Sequence, residues 1–185
     1  MKRLLSATAL IISSLTIMAK DIVWYGGHYP ITYAIKDKCK LAVRTALDMF
    51  SSDMKDVTGR KAIQASPTNA TIEITQLDMA SNSTKKRLKS MNVPVDEIAM
   101  KAECFDIRTN NNGKIIITGS DTRGTAYGIL ELSRMAGVSP WTWWADSKPM
   151  HKDILTINDD FKTTQSPSVK YRGIFINDED WSMRP

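Results

Sequence analysis

Apolar and polar positions along the chain fall into two alternating rhythms, and these divide it into elements. Asp21 to Tyr25 (Asp-Ile-Val-Trp-Tyr) reads as a short strand ended by Gly26-Gly27, and Pro30 to Tyr33 adds a second extended piece. From Asp37 to Val57 the residues Leu41, Val43, Ala46, Leu47, Phe50, Met54 and Val57 recur at three- and four-residue intervals. That spacing predicts an amphipathic helix, and Gly59 is its natural stop. Ala70 to Gln76 alternates strictly and is rich in β-branched residues, so it predicts a strand with Ile72 and Ile74 inward. Asp78 to Pro94 is polar and predicts a loop with a short surface helix, whose Lys85, Lys86, Arg87 and Lys89 read as a solvated face.

The sharpest local signal follows. Phe105 and Ile107 alternate up to Asn110-Asn111-Asn112-Gly113, and Ile115, Ile116 and Ile117 return. Asn112-Gly113 supplies the positive φ angles of a type I′ hairpin turn. The returning strand runs into Gly119-Ser120-Asp121-Thr122-Arg123-Gly124. A helix is expected from about Thr125, striped by Tyr127, Ile129, Leu130, Leu132 and Met135 and stopped by Gly137. A phosphate-binding P-loop needs a lysine after its second glycine, and Thr125 stands there instead. The glycines also miss the Gly-x-Gly-x-x-Gly dinucleotide spacing, so the turn reads as structural, with Gly128 admitting the sheet close to the helix. Ile154 to Ile157 is a last short strand, and Asn158 to Lys170 reads as a polar linker.

Composition narrows the function classes. Basic residues number 25 against 20 acidic ones, but they are scattered. Nucleic-acid binding wants a clustered basic patch, so it is not expected. Lys2 and Arg3 precede an apolar run from Leu4 to Met18, shorter than the roughly 20 residues that span a bilayer. Residues 1–19 therefore read as a signal peptide cleaved near Ala19, giving an exported protein, periplasmic or extracellular, with no stable membrane anchor. Cys39 and Cys104 lack metal-ligand spacing, and His28 and His151 are isolated, so no metal or cofactor is expected. Whether the two cysteines pair or stay free is open at this level.

Two stretches carry candidate chemistry. Trp141, Trp143 and Trp144 crowd beside Pro140. Packing against a neighbouring domain explains them first, and a sugar-stacking platform second. Tyr171 to Trp181 joins the apolar run Ile174-Phe175-Ile176 to Asn177, Asp178, Glu179 and Asp180. That pattern is a strand buried on both faces with acids at its carboxyl end, where (β/α)-barrels place their active sites. Neighbouring strand residues point to opposite faces, so Asp178 and Glu179 are not a simple acid–base pair.

With these segments in place, the strand, the long helix ending at Val57-Thr58-Gly59, the strand at Thr71–Ile74 and the hairpin leading into Gly119–Ile129 resemble the amino-terminal accessory domain of exo-acting glycosidases. The segments Gly137–Asp146 and Tyr171–Glu179 narrow the resemblance to glycoside hydrolase family 115, the xylan α-glucuronidases. The resemblance implies an α/β (α+β) accessory domain, with a small mixed sheet packed by helices, over residues 20–160. A linker at 161–168 and the first strand of a truncated (β/α)8 barrel at 169–185 would follow. It further implies a full-length enzyme that releases (4-O-methyl)glucuronic acid from glucuronoxylan by inverting hydrolysis, with a homodimer among its open assemblies. Inversion places the general acid and base about 6.5–9.5 Å apart. Both would come from later strands, so no catalytic residue is expected in this chain. Asn177, Asp178 and Glu179 are expected to bind sugar hydroxyls. A stand-alone carbohydrate-binding module and a non-catalytic exported interaction domain are the alternatives.

Overall fold

A computed structural model describes residues 20–145 and 147–173. Six strands form the main sheet: β2 (Thr32–Lys36), β3 (Ile63–Gln64), β4 (Ile72–Gln76), β5 (Phe105–Thr109), β6 (Ile115–Gly119) and β8 (Lys162–Gln165). Their spatial order is β3-β2-β4-β6-β5-β8. β2, β3, β4 and β6 run parallel, while β5 is antiparallel to both β6 and β8. β1 (Asp21–Tyr25) pairs antiparallel with β7 (Leu155–Asn158) in a separate two-stranded ribbon. The expectation of a mixed sheet packed by helices holds. The barrel strand expected from Ile174 onward lies outside the described residues, as does the leader at 1–19.

Helices cover both faces of the sheet, which is why β6 is apolar at successive positions. On one face α1 (Leu41–Thr58) and α4 (Thr122–Ala136) pack Phe50, Met54 and Ile129 over Ile74, Ile107 and Ile117. On the other, α2 (Asn82–Ser90) and α3 (Val95–Ala99) bring Leu88, Val95 and Ile98 together with Ile116 and Cys104. The basic helix is therefore more than a solvated face. Its Leu88 is fully buried, and its Arg87 lies 2.8 Å from the buried Glu73 carboxylate of β4. Asp106 and Arg108 of β5 form a second ion pair at 2.6 Å, with the Asp106 side chain fully buried.

Several boundaries move. β2 extends to Lys36, and Asp37 adopts φ 59°, so α1 begins at Leu41 rather than Asp37. Leu41 ends up 78% exposed instead of on the apolar stripe. α4 starts at Thr122, because Asp121 Oδ1 accepts from the Gly124 N–H as its amino-terminal cap. Tyr127 sits at the rim of the stripe, 38% exposed. The hairpin turn is not type I′. Gly113 alone has positive φ there, 72°, and its N–H donates to the Asn110 carbonyl. That is a three-residue loop closed by a glycine bulge. The segment 161–168, read as linker, contains strand β8. Thr164 donates its hydroxyl to Asp106 at 2.6 Å, a partner 58 residues away that no local pattern discloses.

Candidate functional site

The carboxyl ends of β4 and β6 and the start of β5 meet at one rim of the sheet. Its geometry rests on the turn between β6 and α4. Asp121 accepts from the Gly124 and Glu103 N–H groups, each at 2.8 Å, and the Thr125 hydroxyl donates to the Asp121 carbonyl. A Cβ on Gly124 would come 2.2 Å from the Cys104 carbonyl oxygen, and one on Gly128 would come 2.8 Å from the Ile117 side chain. These glycines let α4 lie on the sheet. The Ser120, Gly124 and Thr125 N–H groups of this turn are engaged internally.

Asp121 in turn positions Glu103, whose backbone takes a left-handed φ of 56°. The Glu103 carboxylate pairs with Arg123 at 2.9 Å and with Arg172. Arg172, then Arg123, hold its carboxyl below the usual carboxylate range, and Glu103 raises Arg172 in return. Sequence spacing carries no sign of this cluster, because its members lie on a loop, a helix and the chain beyond β8. A cavity of about 490 Å³ adjoins it, lined by Phe105, Tyr127, Leu130, Pro140 and Pro167 among others. Trp141, next to Pro140, is 65% exposed.

The expected site residues separate accordingly. Trp141 precedes α5 (Thr142–Ala145) with its ring in solvent, while the Trp143 and Trp144 side chains lie outside what the structure describes. Asn177, Asp178 and Glu179 also lie outside the described residues. Of the carboxylates lining the cavity, Glu103 and Glu131 are both paired with arginines, with Glu131 2.7 Å from Arg134. Such groups hold and orient; a general acid or base needs a carboxyl free to exchange its proton. Among the described residues, no group of three or more His, Cys, Asp or Glu side chains is placed to hold a metal, and both cysteines are free. Burial pushes the Cys104 thiol up. No described helix is long and apolar enough to cross a membrane.

No protein-family model and no curated protein match the chain. Solved structures do. A family GH115 4-O-methyl-α-glucuronidase with specificity for decorated arabinogalactans superposes with a TM-score of 0.75 and 37% sequence identity. Over most of its length the chain is similar to a solved member of glycoside hydrolase family 115. The alignment covers 86% of this chain but only 20% of that protein. Two others match more loosely. A GH138 enzyme targeting pectin rhamnogalacturonan II gives a TM-score of 0.37 at 17% identity, over 68% of this chain and 11% of its own. A Streptomyces plicatus β-hexosaminidase gives 0.41 at 14% identity, over 73% and 22%. The family 115 likeness alone bears on function.

Proposed function

We propose that this chain is the amino-terminal, non-catalytic part of an exported glycoside hydrolase that releases (4-O-methyl)glucuronic acid from a polysaccharide by inverting hydrolysis. The observation that carries the reading is the 37% identity, sustained over 86% of the chain, to a 4-O-methyl-α-glucuronidase. The arginine-paired Glu103 and Glu131 beside the cavity support a holding role for that site. Its acid and base would then lie on parts of the protein beyond these residues. Asn177, Asp178 and Glu179 would bind sugar hydroxyls at the first strand end.

The sugar released and the chain it decorates are separate questions. The sequence resemblance points to glucuronoxylan, whereas the solved relative is specific for decorated arabinogalactans. The sugar released is common to both readings, so it is the part of the proposal that does not depend on the polysaccharide. The experiment is to assay release of 4-O-methylglucuronic acid from both polysaccharides. It compares the 185-residue chain with a chain extended to the length of the solved relative. Release by the longer chain only is the expected result. Release by neither, in well-folded protein, rejects the reading. Intact-mass measurement on protein from its native host tests export: loss of residues 1–19 is expected, and full-length protein in most molecules counts against it.

A second reading has one observation in its favour. The exposed Trp141 ring suits a carbohydrate-binding module. Quenching of tryptophan fluorescence by xylan oligosaccharides, abolished in Trp141→Ala, would favour it.

A further inference from the structure

β2 is five residues long and β3 only two. They pair at Thr32↔Ile63 and Tyr33↔Gln64, and the bond from the Ala65 N–H to the Tyr33 carbonyl closes the ladder. Past that point β2 has no strand neighbour on this side among the described residues, and α1 overhangs the gap. The result is a cleft of about 630 Å³. Half-buried Tyr33 and Ile35, with buried Leu47, give it an apolar lining, while exposed Arg44, Asp48 and Gln64 give it a polar one. The open edge runs from Ala34 to Lys36.

Arg44, Asp48, Gln64 and the Tyr33 hydroxyl are uncommitted there, whereas Asp37, a second carboxylate on the lining beside Lys38, accepts from the Ser81 N–H. Elsewhere Arg87, Arg108, Arg123, Arg134 and Arg172 each have a carboxylate partner, while Arg60, like Arg44, has none among the described residues. Among the described residues, Arg44 and Asp48 form no ion pair, and the Tyr33 hydroxyl and Gln64 amide make no hydrogen bond. A planar guanidinium is suited to grip a carboxylate through two parallel bonds. A carboxylate and an amide on the same wall can take sugar hydroxyls, and an aromatic ring can lie against a sugar face. The volume falls within the roughly 300–1,000 Å³ typical of small-ligand sites.

We propose that this cleft binds a carboxylate-bearing sugar, with Arg44 on the carboxylate, Tyr33 against the ring, and Asp48 and Gln64 on the hydroxyls. The choice of a uronate rests on the glycosidase reading above; the cleft and its free groups do not. Binding is measured on the 185-residue chain by calorimetry and by chemical-shift changes at Tyr33 and Arg44. The probes are 4-O-methylglucuronosyl-xylotriose and plain xylotriose. Saturable binding of the acidic probe is expected, about tenfold tighter than the neutral one. Arg44→Ala should weaken it by about tenfold or more at an unchanged melting temperature, since Arg44 is exposed. No saturable binding, equal affinity for both probes, or no effect of Arg44→Ala overturns the inference. Binding lost in Trp141→Ala but intact in Arg44→Ala also overturns it, while leaving the glycan reading standing. Failure of the longer chain to hydrolyse its substrate, with Arg44-dependent binding retained, would instead remove the enzymatic reading alone.

Discussion

Single residues set this fold where the backbone has no alternative. Gly113 holds φ at 72° to close the hairpin, a conformation a β-branched side chain strongly disfavours. Gly113→Val is expected to destabilise the domain by roughly 1–3 kcal/mol, and an unmoved urea midpoint would refute that role for the turn. Asp53 makes a different case. Burial of α1 against α4, with Asp56 adding like charge, raises its carboxyl above the ordinary 3.8. Because the folded-state value is the higher one, the folded protein holds the proton more tightly. Its contribution to stability is present below the unfolded value and is lost as pH rises through the raised one. Asp53→Asn should therefore raise the melting temperature at pH 7 and flatten the decline between acid and neutral pH. A variant whose melting profile parallels the parent at every pH would show that Asp53 is not the group responsible.

At the level of elements, the outer strand β8 is the part most dependent on one buried side chain. Asp106, fully buried on β5, accepts from Arg108 through both oxygens and from Thr164 of β8. Removing its carboxylate leaves Arg108, 12% exposed, without its partner. Asp106→Ala is expected to cost about 3–5 kcal/mol, the scale for breaking a buried ion pair from one side. Hydrogen exchange should show β8 losing protection first. Uniform loss across the sheet would mean the strand is held mainly by its backbone ladder. The same pair explains why 161–168 read as linker. Lys162-Thr163-Thr164-Gln165 has no apolar face, because its inward partner is polar.

For the whole molecule, the proposed function makes this domain the carrier of a catalytic part. In a chain extended to the solved relative's length, Asp178→Ala or Glu179→Ala should lower kcat/KM for glucuronic acid release. The neighbour of the affected residue should act mainly on folding, as the strand expected from the sequence would face the two opposite ways. One lost hydrogen bond to a charged acceptor is worth on the order of 1.5–3 kcal/mol, or roughly a 10- to 200-fold drop. Parental rates in both variants, at unchanged stability, would reject a substrate-binding role for Asp178 and Glu179.

Much of this was written locally. The 3.6-residue stripe of α1, the alternation of β4, the Asn-Gly corner and the stops at Gly59 and Gly137 are consequences of side-chain spacing and backbone freedom. They could be read before any folding, as could the family resemblance carried by Gly137–Asp146 and Tyr171–Glu179. Tertiary structure decided what depends on partners distant in sequence. It paired β1 with β7 and recruited β8 through Asp106. It turned a basic surface helix into the cover of a second core. It also left β2 longer than β3, opening a cleft that no local run of residues encodes. Periodicity reports which face of an element is apolar; what that face meets is settled only when the chain closes on itself.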